Sequence, residues 1–368
     1  MAYSASEKLI ILGGGLMGLA IAFELAQKGK KVEILSRRRS EAAGFVAAGM
    51  LAPHAEGLTN EILKLGQLSL SRIPRWIERI EITSGIDCKF NRTGIIVPFK
   101  TEQELEEYPT AKFGEFLNKK ALFEEIPGLD KQWNNGLLFA QDGQIDNRRQ
   151  LMRALEKSCV ELGVHFQEGV EVISLIKREK EFYGVLIKDS AGKTRELIAN
   201  EAVLTCGAWS NQILKEIPVF PVKGQMLSLQ APKNALRKIL FGPSTYLVPR
   251  EDGLIIIGAT SERNAGFKDG LTPQGQNELH SGISSLLPTA NQWPQMDRWW
   301  GFRPCTPDKY PIIGKSSMKN LWIATGHYRN GVLLAAITAE LISKLVLRNK
   351  ISKEDSQILT NFKADRFQ

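Results

Sequence analysis

The apolar positions change period along the chain, and the changes mark out its elements. Ile10-Ile11-Leu12 is a short continuous apolar run, Gly13-Gly14-Gly15 interrupts it, and Leu19-Ala20-Ile21-Ala22-Phe23-Glu24-Leu25-Ala26 resumes at helical spacing. This reads as strand, tight turn and helix. Gly29-Lys30-Lys31 leads into a second apolar run, Val32-Glu33-Ile34-Leu35, which completes a β-α-β unit. Residues 60–84 predict an amphipathic helix with Leu63, Leu70, Ile73 and Trp76 on one side. Lys89 to Phe99 predicts two strands joined through a turn, followed by a polar helical stretch from Thr101 and a stop at Ile126-Pro127-Gly128. Gly136–Ala140 and Gly143–Asp146 read as short strands, and Asn147–Leu162 as an amphipathic helix.

The second half is richer in strands. Gly163–Phe166, Val170–Ile176 and Tyr183–Ile187 predict a β-meander with a turn at Ala191-Gly192-Lys193. Glu201 to Cys206 predicts a buried strand that breaks at Gly207. Gly224–Leu229, Thr245–Pro249 and Leu254–Ala259 are further strands, closed by a helix from Thr272 to Leu287. Leu321–Thr325, the turn at Gly326 and a helix opening at Asn330-Gly331-Val332 and running through Leu345 return to strand, glycine turn and helix. The texture of 86–145 and 216–300 sets them apart as two excursions from an α/β framework. No internal repeat or low-complexity segment is present.

Composition narrows the classes. The 368 residues are 43% hydrophobic and 24% charged, enough for two domains or one large one. Cys88, Cys159, Cys206 and Cys305 are scattered without C-x-x-C spacing and there are four histidines, so neither a disulfide framework nor a metal site is expected, and reduced thiols in the cytoplasm are the default. Met1 to Lys8 has no basic region followed by an apolar core, so no secretory signal is expected. No apolar segment is long enough to suggest a membrane span. The net charge of +8 would suit an anionic partner. The basic residues are dispersed apart from Arg37-Arg38-Arg39, so no nucleic-acid partner is expected.

Chemistry enters at six places. Gly13, Gly15 and Gly18 fill a G-x-G-x-x-G frame. The first permits a sharp turn, the second close approach of backbone to a pyrophosphate, and the third tight packing of helix on strand. An acidic residue usually ends the following strand and holds a ribose; here Ser36 and then Arg37 stand there, and the arginine run meets a phosphate or is a solvated loop. The small-residue run from Ala42 to Leu51 lets backbone approach something flat, or is a tightly packed helix start. Arg303, between Trp299-Trp300-Gly301-Phe302 and Pro304, is costly to bury unpaired; it forms a structural salt bridge or grips a carboxylate. Gly326-His327-Tyr328-Arg329-Asn330-Gly331 is a polar turn at a helix start, suited to an electron-rich cofactor edge or to an ordinary loop, and Tyr246 is core packing or a ligand contact. There is no G-x-S-x-G elbow, no H-E-x-x-H and no local Cys-His signature, which leaves the chemistry to a cofactor.

Together the glycine turn, Ala47-Ala48-Gly49-Met50-Leu51-Ala52-Pro53-His54-Ala55-Glu56, Pro221-Val222-Lys223-Gly224-Gln225, Arg303-Pro304 and Pro311-Ile312-Ile313-Gly314 resemble the FAD-dependent amine oxidases of the D-amino-acid oxidase superfamily. Thr325 to Gly331 is most similar to its glycine-oxidising branch in thiamin biosynthesis. The resemblance implies an α/β (α+β overall) fold. It has a Rossmann-like FAD-binding domain in 1–85, 146–215 and 301–368. A substrate domain of antiparallel sheet plus helices occupies 86–145 and 216–300. It implies non-covalent FAD held by Gly13, Gly15, Leu16, Met17 and Gly18 at the pyrophosphate, by Ser36 and Arg37 at the ribose and by Val172 at the adenine. Ala43, Gly44, Ala48, Gly49, Met50 and Gly207, and His327, Tyr328, Arg329, Asn330, Gly331, Val332 and Leu333, would lie along the flavin. Arg303 would bind the substrate carboxylate with Arg329 and Tyr246 as helpers, and Met50 and Ser261 would shape the pocket beside Ser244. The implied reaction is oxidation of glycine or another small amino acid with dioxygen giving hydrogen peroxide. The imine could be handed to thiazole synthase, and a homo-oligomer is the expected assembly. Sarcosine or D-amino-acid oxidation, a flavoprotein acting on tRNA and an NAD-dependent dehydrogenase are the competing readings.

Overall fold

A computed structural model describes residues 8–367. The stretch Met1 to Glu7, where no secretory signal is expected, lies outside them. The first apolar run becomes the strand Leu9–Leu12, every residue of it fully buried. It is the centre of a six-stranded sheet in the order Ile312–Lys315, Leu321–Thr325, Glu201–Leu204, Leu9–Leu12, Val32–Ser36, His165–Glu168. All pairs are parallel except the outermost, Ile312–Lys315 against Leu321–Thr325. From the central strand the chain first builds towards Val32–Ser36 and only later towards Glu201–Leu204. The carboxyl end of Leu9–Leu12 is therefore a switch point of strand order, where open parallel sheets leave a crevice for ligands. Four helices pack on one face: Leu16–Ala26, Asn60–Ser84, Met152–Glu161 and Gly331–Val346. The other face is covered by a three-stranded antiparallel sheet, Glu171–Arg178, Glu181–Lys188 and Thr194–Ile198.

A second sheet of eight strands occupies the rest, in the order Gln295–Cys305, Phe220–Gln230, Leu254–Gly258, Tyr246–Pro249, Ile239–Phe241, Ile95–Phe99, Asn135–Phe139, Glu115–Asn118. It is antiparallel except where Ile239–Phe241 runs parallel to Ile95–Phe99. The helix Pro273–Leu286 closes one face of it, with Thr272 accepting from the Gly275 amide at its start.

Several elements depart from the expectations. The predicted meander splits: His165–Glu168 joins Val32–Ser36 in the parallel sheet, and Glu171 to Ile198 alone forms the antiparallel ribbon. Lys89–Phe99 holds one strand, with Asn91 making a single bridge to Gln144. The helix predicted from Asn147 starts as a π-helical turn, Asn147–Leu151. In the long helix the buried apolar stripe is Ile62, Leu65, Leu70, Ile73, Trp76, Ile77 and Ile80, so Leu70, Ile73 and Trp76 stand as expected while Leu63 lies at its edge. The strand Gln295–Cys305 runs past the expected 300/301 boundary, because it stays paired with Phe220–Gln230 as far as Phe220 opposite Cys305.

Candidate active site

The turn after the central strand is built by missing side chains. Gly13 sits at φ +114°, and a Cβ there would lie 2.6 Å from the Thr205 carbonyl oxygen. A Cβ on Gly18 would lie 2.0 Å from the Gly13 carbonyl oxygen, so the helix rests directly on the turn. Gly18 accordingly does not face the cavity; it sets the packing that lets Gly13, Gly15, Leu16 and Met17 do so. Helix Leu16–Ala26 starts with no described side chain capping it, and Gly331–Val346 likewise starts uncapped, with Gly331 beside Met17. Two helix N-termini, each with free N–H groups and the positive end of its dipole, therefore open into one space.

That space is a cavity of about 470 Å³ reaching from Gly13 to Arg303. Ser36, Arg37 and Val172 line its outer end, and Ala43, Gly44, Ala48, Gly49, Met50, Gly207, His327, Tyr328 and Val332 line its middle. Gly44 and Gly49 bring backbone close: a Cβ would be 2.7 Å from Met152 Sδ at the first and 2.0 Å from the Ile145 carbonyl oxygen at the second. The run from Ala42 to Leu51 is thus neither a helix start nor free loop, but a short helical turn and the strand Met50–Leu51 paired with Gly143–Gln144. Arg250 holds it from the second sheet, donating to the Ala48 carbonyl and to Gln144. Asn330 and Leu333 do not reach the cavity. Asn330 closes the turn through its own amide to the His327 carbonyl (2.9 Å), and Leu333 lies in the apolar core, its carbonyl accepting from Ser69.

At the outer end the arginine run is spent on ion pairs. Arg37 meets Glu41 (2.7 Å) and Glu171 (3.3 Å) and stacks over Trp209; Arg38 meets Glu41, and Arg39 meets Glu168 and Glu156. Glu41 and Glu171 both line the cavity, so carboxylates stand beside Ser36 although none ends its strand. At the middle, burial holds the His327 imidazole down at about 3, so it is neutral. Its Nε2 faces Thr338 Oγ1 at 3.0 Å, while its buried Nδ1 has no hydrogen-bond partner among the described residues. An orphaned ring nitrogen, two uncapped helix starts and four glycines whose side chains would collide with backbone or a neighbouring side chain fit a flat, phosphate-bearing dinucleotide such as FAD.

The inner end is made of side chains from the second sheet and the last loop. Arg303 lies across Gly224, where a Cβ would come within 2.1 Å of its Nη1. Its Nη1 donates to the Thr260 carbonyl at 3.0 Å and Tyr246 lies within its hydrogen-bonding reach, but among the described residues no carboxylate pairs with it, which leaves the guanidinium available to an anionic ligand. Tyr246 lies across Gly258 in the same way, its hydroxyl 2.4 Å from a Cβ there, and stacks on Phe241 with centroids 6.3 Å apart. Burial pushes the Tyr246 hydroxyl above its usual range against the pull of Arg303 and Arg329. Arg329 meets Glu56, Nε to Oε2 3.3 Å. Met50, Ser261 and Ser244 complete the rim. The family resemblance brought Arg303, Tyr246 and Arg329 together, and Glu56, Gly224 and Gly258 were missed. The first two stood in quoted motifs without a role. The isolated Gly258 at a strand end was the available signal that something packs over the backbone. No helix of the described residues is long and apolar enough to cross a membrane.

A family model described as DAO, FAD dependent oxidoreductase, matches residues 8–345. The bifunctional protein ThiO/ThiG of Synechocystis sp. is 41% identical over 355 residues, 94% of this chain and 52% of that protein. The chain spans about half the length of the curated ThiO/ThiG relatives it matches. The glycine oxidase of Geobacillus kaustophilus is 31% identical over 357 residues, covering 92% of this chain and 93% of that one. The crystal structure of glycine oxidase from Geobacillus kaustophilus superposes with a TM-score of 0.88 at 28% identity, covering 98% and 99% of the two chains.

Proposed function

From the membership of this chain in the DAO family of FAD-dependent oxidoreductases, we propose that it oxidises glycine and other small amino acids at the amine-bearing carbon to the imine, which water converts to glyoxylate and ammonia. FAD, held without a covalent link, would accept the two electrons and pass them to dioxygen as hydrogen peroxide. The observation that carries the substrate class is the free face of Arg303 at the inner end of a dinucleotide-shaped cavity. A guanidinium grips a carboxylate through two parallel hydrogen bonds, worth about 1.5–3 kcal/mol for a charge-assisted contact.

Arg303 would fix the carboxylate, and Tyr246 and Arg329 would hold it from either side. Gly224 and Gly258 let both side chains lie flat against the sheet, leaving the space above them to the substrate. Orientation of the amine-bearing carbon is then the main contribution of the protein. At the other end, Gly13, Gly15, Leu16 and Met17 would hold the pyrophosphate through backbone, and His327 Nδ1 would meet the polar edge of the flavin. Met50, Ser261 and Ser244 would set how large a substituent is accepted. The relatives named ThiO/ThiG support a place in thiamin biosynthesis, with the imine passed to a thiazole-forming partner. We assign the enzyme to the cytoplasm as a homo-oligomer. A peroxide assay of the yellow protein on glycine, sarcosine and D-alanine tests the reading. Glycine turnover is expected, and a colourless protein or no peroxide with any amine would overturn it.

A further inference from the structure

Glu56 is a carboxylate in a place where the reaction described above has no use for one. It follows the run Leu51-Ala52-Pro53-His54-Ala55, its side chain is 9% exposed, and it lines the inner end of the cavity with Arg303, Arg329 and Tyr246. Its only ion pair among the described residues is with Arg329 at 3.3 Å, and no described residue donates a hydrogen bond to either oxygen. A buried carboxylate normally accepts several. Glu56 therefore has accepting capacity directed at the ligand space.

The segment that carries it is clamped from behind. Asp142, fully buried, takes hydrogen bonds from the His54 and Ala55 amides (3.1 and 2.8 Å) and faces His54 Nδ1 at 2.6 Å. Gln67 meets His54 Nε2 at 3.0 Å, Thr110 donates to the His54 carbonyl and Tyr108 to the Ala55 carbonyl, each at 2.6 Å. Every polar group of the two residues before Glu56 is thus committed, and the carboxylate is presented on a rigid support.

Loss of hydride from the amine-bearing carbon needs a nitrogen lone pair to stabilise the cation left behind, and an ammonium has none. Most of a free amino acid at neutral pH is ammonium. With Arg303 and Arg329 also positive, an ammonium entering this space meets two guanidiniums and one carboxylate.

Resting on the reading of the chain as an amino-acid oxidase, we propose that Glu56 is a catalytic residue that takes the proton from the substrate ammonium. The N–H bond breaks with its electron pair left on nitrogen, an O–H bond forms on Glu56, and a neutral amine and a neutral carboxyl result. The groups facing Glu56 are Arg329 from the last loop, Arg303 and Tyr246 from the second sheet, Tyr108, and Asp142 with His54 behind it. Burial raises the Glu56 carboxyl above its usual range, and Asp142 adds to that while Arg329 and Arg303 oppose it. That direction suits a proton acceptor working near neutrality.

The test compares wild type and Glu56→Gln holoenzymes. The rate of anaerobic flavin bleaching by glycine is followed across pH, and acetate, a carboxylate with no amine, is titrated by its effect on the flavin spectrum. At neutral pH the variant is expected to bleach about 100-fold more slowly, to gain rate about tenfold per pH unit towards the alkaline titration of glycine itself, and to approach wild type there. Acetate binding should stay within about threefold, and Glu56→Asp should restore part of the neutral-pH rate. A variant with the wild-type pH profile overturns the proposal. So does one in which acetate and glycine weaken together at every pH, since Glu56 would then only position Arg329. A wild-type flavin that no amine bleaches would instead refute the oxidase reading on which the proposal rests.

Discussion

The two ends of the cavity are made of different material. The outer and middle parts rest mainly on backbone, with glycines at which a Cβ would strike a carbonyl and helix starts whose N–H groups face inward, and side chains such as Arg37, Glu41, Glu171 and His327 only fill in around them. The inner end is side chains, Arg303 and Tyr246 from the second sheet and Arg329 and Glu56 from two loops. Backbone holds what every turnover has in common, because its donors are fixed and uniform. On the proposed reading, side chains would hold what selects the substrate, because charge and shape vary there residue by residue. Substitutions should therefore separate the ends cleanly, one set emptying the cofactor site and the other leaving it full while substrate binding fails.

The largest effect is expected at Gly18→Ala. Its Cβ would lie 2.0 Å from the Gly13 carbonyl oxygen, where neither partner is a flexible side chain. Backbone must move, at a cost of about 1–3 kcal/mol or more, and the turn loses its shape. FAD affinity measured by fluorescence titration of the apoprotein should fall more than about 100-fold; a variant that is as yellow as wild type would count against a backbone-built anchor. Next comes Arg303→Ala, for which KM for glycine should rise about 10- to 100-fold with FAD fully bound, and an unchanged KM would remove the carboxylate role. Gly224→Ala probes the same contact indirectly. The added methyl displaces only the far end of Arg303, so the thermal midpoint should hold while KM rises about tenfold; equal KM values would mean that Arg303 does not need to lie flat. The smallest effect is expected at Arg37→Ala. Its ion pairs with Glu41 and Glu171 are largely exposed, and such pairs contribute about 0–1 kcal/mol, so FAD affinity should change less than about fivefold. A larger loss would show that side chains share in the anchor after all.

The same division explains what could be read in advance. The glycine turn is a local signal, six positions in a row whose backbone demands are met by neighbours, and its strand, helix and ribose-side strand all stand where the periodicity puts them. Strand pairing is not local. His165–Glu168 looks like the first arm of a meander, yet its partner is Val32–Ser36, far back in the chain, and no pattern within either segment names the other. The inner end carries the same difficulty further. Arg303, Tyr246, Arg329 and Glu56 come from four segments, and only the family resemblance assembled the first three. The resemblance also set Asn330 and Leu333 along the flavin; the Leu333 side chain turns to the core and the Asn330 amide closes the turn, so any contact Leu333 makes there would come from backbone at the helix start. Glu56 escaped because a carboxylate in a loop reads as solvated until burial is known.

The helix that follows the glycine turn has a consequence for how the protein is made. Nine of its eleven residues are buried, and it shows no polar face. Its cover is the helix Gly331–Val346, with Arg79 of Asn60–Ser84 reaching Glu24 from the side. A ribosome makes this helix long before Gly331–Val346. Until that helix is made, the segment carries an apolar rod lacking part of its cover, of the kind that chaperones bind and that aggregates when they are scarce. A cofactor anchored at both helix starts would be loaded only once Gly331–Val346 has been made. Chains cut short before residue 331 would then fail as folding defects, whatever catalytic groups they still contain.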